Sequence, residues 1–218
     1  MPALDFVAPV EAKIVTDLPD ESGWQFEPKW DGFRAIAVKQ DSRVDLWAKS
    51  GKPLGRYFPE ILAMIATLPG DRLMLDGELI VPLHGEASFD ALQMRLHPAE
   101  SRVRKLAAET PAILVAFDLL HLDEHNLLTR PLQARRQALE SYFAMVPPDT
   151  PLRLSPATND SETARHWFEN LTAELDGVIA KRLDAPYRSG ERDMLKVKRI
   201  RSADCVVGGF RYGTNSDE

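Results

Sequence analysis

The stretch "EPKWDGFR", Glu27 to Arg34, sets a lysine, two acids, a glycine and an arginine into eight positions. A lysine amine is a nucleophile toward phosphorus once it has lost its proton. At an ordinary pKa of ~10.4 it is almost wholly protonated near neutrality, so a reactive Lys29 needs neighbouring cations and restricted solvation. The competing reading is a solvated charge at a turn, because Asp31-Gly32 is a dipeptide favoured in tight turns, where glycine takes positive φ at no steric cost. The stretch by itself does not choose between them.

Four further segments bear on the choice. In "LMLDGELIV" (Leu73 to Val81) Glu78 sits in an apolar run, and such a carboxylate either faces solvent at a sheet edge or points into a polar cavity. "LVAFDLLHLDEHNLL" carries Phe117, a core residue or an aromatic on which a purine can stack. "LDGVIAKR" (Leu175 to Arg182) brings an acid, Asp176, and a lysine at alternating strand spacing, and "MLKVKRI" (Met194 to Ile200) puts Lys196 and Lys198 on one face of a strand. Two lysines on a core face are costly unless an anion meets them. A candidate nucleophile, carboxylates for a hard cation, an aromatic and paired cations are together the parts of a phosphoryl- or nucleotidyl-transfer site, where catalysis is mostly positioning and charge neutralisation.

The elements that must hold these groups are read from periodicity. Strands are expected at Gly23 to Glu27, Arg34 to Lys39, Arg43 to Trp47, Leu73 to Val81, Ala112 to His121 and Gly177 to Lys181. Helices are expected at Phe58 to Leu68, Ser88 to Leu96, Ala99 to Glu109, Pro131 to Ala144 and Asp160 to Leu175, with Pro131 at a first helical position and Ser161 as a cap. Strands and helices mix without regular alternation, which favours an α+β fold of antiparallel sheets over a doubly wound parallel sheet. "MVPPDTP" (Met145 to Pro151) is a stiff connector. "HLDEH" (His121 to His125) reads as a strand-to-loop turn in preference to a zinc pair, and Trp24, Trp30 and Trp47 as packing residues, Trp30 also as a pocket wall.

The chain has 218 residues, 44% apolar and 28% charged, enough for one large domain with a sizeable core. A formal net charge of -6 argues against a surface that coats nucleic acid throughout. From Gly177 to Arg201, however, eight cations stand against three acids, a local balance of +5 that suits either a phosphate-binding face or a solvated surface. No apolar run approaches the roughly 20 residues of a membrane span, and the N-terminus lacks a secretory pattern, so a cytoplasmic, non-membrane protein is expected. The single cysteine, Cys205, read as a small buried strand residue, leaves no internal disulfide or multi-cysteine zinc site.

Taken in order, "EPKWDGFR", "DGE", "FDLL", "DGVIAK" and "LKVK" resemble the motifs of the covalent nucleotidyltransferases, specifically the ATP-dependent DNA ligases. "KSGKPLGRYFPEI", "SFDALQMRL" and "LTRPLQARRQAL" are similar to the bacterial C and D types associated with end joining and repair. The resemblance runs from about Ile14 to the end, and its specificity lies in the ordered set. It implies a nucleotidyltransferase (ATP-grasp-like) fold: two mostly antiparallel sheets flanked by helices, with the ATP site between them. It also implies an adenylation domain over residues 1–202 and, at 203–218, the start of a truncated OB-fold domain, with "ADCVVGGFRYG" similar to that domain's first strand.

By the same resemblance Lys29 attacks the α-phosphate of ATP to form lysyl-AMP, and Glu27 accepts the adenine amino group. Arg34 contacts the ribose and later the DNA 5'-phosphate, Glu78 the ribose hydroxyl, and Phe117 stacks on adenine. Asp176 holds Mg2+ or Mn2+, Lys196 and Lys198 grip the α-phosphate, and Lys49 makes a nucleotide and DNA phosphate contact. Two positions depart from the pattern: Asp176 stands where glutamate is usual, and Lys49 where arginine is frequent, so neither reach nor bidentate contact is the same. The implied partners are nicked double-stranded DNA and end-joining or repair proteins, for a monomer in the bacterial cytoplasm that associates with the nucleoid when acting. Without a full OB domain, self-adenylation is expected to be retained or weakened and nick sealing poor. An RNA ligase or capping-type enzyme shares the lysine motif, though Glu27 and the C/D-like stretches argue against capping. A catalytically silent nucleotide- or DNA-binding module is the reading from a different class.

Overall fold

In Phe33–Gln40, Ala35 and Ala37 alternate with Ile36 and Val38, and all four are buried, so this strand has apolar partners on both faces. That double burial organises the molecule. A computed structural model describes residues 3–83, 85–171, 175–198 and 208–209. The early strands are β1 (Glu11–Ile14), β2 (Trp24–Trp30), β3 (Phe33–Gln40), β4 (Arg43–Ala48), β5 (Arg72–Ile80), β6 (Pro82–Leu83) and β7 (Glu86–Ala87). The later ones are β8 (Ile113–Leu122), β9 (His125–Asn126), β10 (Leu152–Leu154), β11 (Leu175–Arg182) and β12 (Arg192–Lys198). The helices are α1 (Pro59–Thr67), α2 (Phe89–Gln93), α3 (Glu100–Glu109), α4 (Leu132–Phe143) and α5 (Ser161–Glu169).

Two sheets carry the fold. The first has the order β1-β12-β11-β2 and the second β10-β8-β5-β3-β4, with β9 paired to β8. Pairing is antiparallel except at two edges, where β1 runs parallel to β12 and β10 parallel to β8. The layers follow from which side chains share a face. Ala35, Ala37, Leu73, Leu75 and Leu79 pack with Ile61 and Ile65 of α1 and Leu139 and Tyr142 of α4 on the outside of the second sheet. Ile36, Val38, Met74 and Leu120 form its inner face and meet Val10, Tyr187 and Met194. Phe26, Val178 and Ala180 cover the outer face of the first sheet, against Ala164 and Trp167 of α5. The two inner faces therefore look at each other, apolar at one end and polar at the other.

Several expectations need correction. β2 runs on to Trp30, so Lys29 lies within a strand and not after one. Asp31 and Gly32 form no hairpin, because β2 and β3 belong to different sheets; they are the crossover between them. Gly32 has no positive φ. Its missing side chain is required by contact: a Cβ there would stand 2.2 Å from the Leu79 carbonyl oxygen. α5 ends at Glu169, its cap is Asp160, whose carboxylate accepts from the Glu162 and Thr163 amides, and Leu175 already belongs to β11. Pro131 is the N-cap of α4 and not its first helical residue. "HLDEH" is the β8–β9 hairpin, as its turn reading requires, with Asp123 at φ 48°. His84, Cys205, Arg199, Arg201 and the proposed OB-fold opening lie outside the described residues, apart from Gly208 and Gly209.

Candidate active site

Residues two apart on β2 share a face, and Gln25, Glu27 and Lys29 occupy the face opposite the one that buries Phe26. The antiparallel register sets Ile179 beside Glu27 and Gly177 beside Lys29, then Lys196 beside Ile179 and Lys198 beside Gly177. From the facing sheet, β3 and β5 pair Arg34 with Glu78 and Ile36 with Asp76. The crossover at Gly32 thus delivers Lys29 and Arg34, five residues apart, from two sheets into one cavity of about 740 Å³. Its lining includes Glu27, Lys29, Arg34, Lys49, Glu78, Phe117 and Lys196, together with Glu11, Trp30, Leu54, Ile179 and Lys181.

Lys29 Nζ donates to Asp176 Oδ2 at 2.8 Å, each side chain about a quarter exposed (24% and 23%). The amine is an ion-paired ammonium in this geometry, and the pair must open before its lone pair can be used. Lys196 lies in the same row. Burial, then the charges of Lys29, Lys198 and Lys49, push its ammonium below the usual lysine range, which marks this part of the cleft as short of anions. Lys198 is felt there through that charge and Asp176 through Lys29; neither belongs to the cavity lining itself. Lys49, in the turn after β4, reaches Glu11 of β1 at 2.9 Å and closes one side of the cleft.

Glu27 is buried with both oxygens engaged: Gln25 Nε2 donates to Oε1 and Lys181 Nζ to Oε2, each at 2.7 Å. The same Lys181 ammonium lies 4.6 Å from the centroid of Phe117, and the Arg34 guanidinium 5.3 Å from it. Arg34 is fixed from behind. It donates two hydrogen bonds to Asp76, at 3.0 and 2.7 Å, and one to the Val10 carbonyl at 2.6 Å. Burial works against its charge, but the Asp76 carboxylate more than offsets that and holds the guanidinium above its ordinary pKa. Tyr187 donates to Asp76 Oδ2 at 2.6 Å, and burial followed by the Asp76 charge keeps the phenol neutral. Glu78 opens onto the cavity, and burial pushes its carboxyl up to about 8, against the pull of Arg34 and Lys29. Near neutrality it is a carboxylic acid that donates as well as accepts.

Asp76, Lys181 and Tyr187 are the functional neighbours that motif reading passes over. Asp76 and Lys181 sit inside "DGE" and "DGVIAK" but meet their partners across 42 and 154 residues of chain. Tyr187 lies in the β11–β12 connection and has no periodic signal at all.

A divalent cation has few protein ligands to draw on here. Among the described residues no three His, Cys, Asp or Glu side chains come together as a cage. Asp176, paired with Lys29, nonetheless fits magnesium, which keeps several waters and is commonly held by one or two carboxylates plus substrate phosphate oxygens.

Two facing, mostly antiparallel sheets with a lysine in the cleft define the nucleotidyltransferase class of fold. The chain belongs to the ATP dependent DNA ligase domain family, whose profile matches residues 8–198. It is 46% identical over 212 residues to DNA ligase C2 of Mycolicibacterium smegmatis and 43% identical over 214 residues to DNA ligase C of Mycobacterium tuberculosis; each match covers 97% of this chain and 59% of the relative. Among solved structures it is similar to a mycobacterial DNA ligase D complexed with ATP and MES, with a TM-score of 0.67 and 28% identity over 88% of this chain and 60% of that one. The chain therefore spans about three fifths of the length of these relatives.

Proposed function

We propose that this chain is the adenylating part of an ATP-dependent DNA ligase. Lys29 Nζ attacks the α-phosphorus of ATP, an N–P bond forms as the P–O bond to pyrophosphate breaks, and the amine proton is lost. The resulting lysyl-AMP is then positioned to pass AMP to the 5'-phosphate of nicked duplex DNA. One observation carries the reading: seven of the nine residues singled out for these roles, drawn from both sheets, line a single cavity with Lys29 among them.

Each neighbour has a matching task. Glu27 accepts from the adenine amino group, Phe117 stacks on the ring, and Glu78 exchanges hydrogen bonds with the ribose. Lys196, Lys198 and Lys49 supply positive charge to phosphate, and Arg34, with two of its five N–H donors on Asp76 and one on the Val10 carbonyl, keeps two to meet the ribose and then the DNA 5'-phosphate. Bound Mg2+ or Mn2+, held by Asp176 and phosphate oxygens, would neutralise the leaving pyrophosphate. Kinship with mycobacterial ligases C and with LigD, named for non-homologous end joining, supports a place in DNA repair.

The test is incubation with labelled ATP, GTP or NAD and magnesium, followed by denaturation and detection of acid-labile label on the protein. Label from ATP on the wild type, and its loss in Lys29→Ala, is the expected result. No label from ATP, or undiminished label in Lys29→Ala, overturns the proposal. Label from GTP in place of ATP would point to the capping-type reading.

A further inference from the structure

We infer that Lys181 is the positioning residue that sets base selectivity in this cleft, by tying the base-reading carboxylate and the stacking ring to one buried ammonium. The inference rests on the nucleotidyl-transfer reading and adds to it a residue with no direct part in the chemistry.

The geometry is a single cation with two partners. Lys181 Nζ donates to Glu27 Oε2 at 2.7 Å, with side-chain exposures of only 8% and 3%. It also sits 4.6 Å from the Phe117 centroid, within the range of a cation–π contact. β11 makes both contacts possible. Lys181 stands opposite Gln25 in the register, one alternate position along from the Ile179–Glu27 pair, so its long side chain runs on the cleft face diagonally to Glu27. Gln25 completes the arrangement by donating to Glu27 Oε1 at 2.7 Å. With one donor on each oxygen, the carboxylate plane cannot swing, and its remaining lone pairs keep a fixed direction.

That direction matters for discrimination. An amino group at the purine 6-position donates to a fixed acceptor, whereas an oxo group there sets acceptor against acceptor in a site with little water. A carboxylate free to rotate would lose much of this contrast. The Phe117 contact has a different consequence: stacking accepts any purine face, so its loss weakens both nucleotides alike. Lys181 thus acts on base identity through Glu27 and on affinity through Phe117.

Equilibrium binding of ATP and of GTP to the 218-residue chain reads the inference, while covalent label reads the function, so that either can fail alone. Lys181→Met should weaken GTP by about threefold and ATP by about thirtyfold, lowering the ATP-over-GTP affinity ratio by about tenfold, and leave the labelling rate at saturating ATP within about threefold. Lys181→Arg, which keeps the charge and the donors, should restore most of the ratio. Because Lys181→Met strands a buried Glu27 charge, the pair Glu27→Gln and Glu27→Gln/Lys181→Met provides a second measurement in which no such charge remains. Between those two the ATP-over-GTP ratio should not change, since selectivity no longer has Glu27 to act through. An unchanged ratio in Lys181→Met overturns the inference. So does a further fall in the ratio within the Glu27→Gln background, or a collapse of the saturated labelling rate with binding intact.

Discussion

Glu78 has a protonation state set by its surroundings, and this makes it a residue whose stability effect has a sign. Its folded-state pKa of about 8 lies above the unfolded value of 4.5, so between those limits the folded chain holds a proton that the unfolded chain has released. The unfolded state is favoured by that difference, and stability drains away as pH rises from about 4.5 to about 8, then levels off. Glu78→Gln removes the carboxyl at nearly constant shape. Its Tm should fall less than that of the wild type across this window, by roughly 10 °C at pH 8, as read by thermal denaturation at stepped pH. Equal slopes for the two proteins would show that Glu78 ionises normally. The motifs single out Glu78, Lys29, Glu27 and Phe117, all of which line the cleft, because each lies on a strand whose alternation is legible over a few residues. Lys181 and Tyr187 were not assigned, because a hydrogen bond across a sheet depends on register, and register is decided by contacts 100 or more residues away.

Elements place these residues, and two short junctions are the critical ones. At the β2–β3 crossover, Gly32→Ala would drive a Cβ to 2.2 Å from the Leu79 oxygen and to 2.9 Å from Glu78 Cγ. The Leu79 backbone and the Glu78 side chain must give way, so a loss of about 3 kcal/mol in urea unfolding is expected, with displacement of Lys29 relative to Arg34 and weaker labelling. At α5, Asp160 accepts from two amides of the first turn, and Asp160→Ala should lower the urea midpoint without altering nucleotide selectivity. The long strands were readable from alternation and the longer helices from their apolar stripes. The three- and four-residue strands β10 and β1 were not, since so short a segment shows no period, and their parallel edge pairing is imposed by the sheets they join.

On the scale of the whole molecule the two sheets are held face to face by an apolar seam and by a buried polar relay. Arg34, Asp76 and Tyr187 link β3, β5 and the β11–β12 connection, and Arg135 of α4 joins the relay's edge by donating twice to Asp118 and lying 5.6 Å from the Tyr187 ring. Removing one member leaves a charge or a phenol without its partner in a dry interface. Asp76→Ala should therefore cost about 3–5 kcal/mol in denaturant unfolding, well beyond the loss of a surface pair, whereas Arg104→Ala on exposed α3 should cost under about 1 kcal/mol. The relay also explains why Arg34 faces the cleft at a constant angle, whereas Lys29 is restrained, among the described residues, by an exchangeable pair with Asp176. A rigid cation and a releasable amine suit a site that binds phosphate first and reacts second.

The most direct measurement is peptide mapping of the protein after incubation with ATP and magnesium under conditions that preserve a phosphoramidate. AMP should be found on the peptide containing Lys29, and nowhere in Lys29→Ala. AMP on another residue, or its persistence in that variant, would show that this lysine is not the nucleophile.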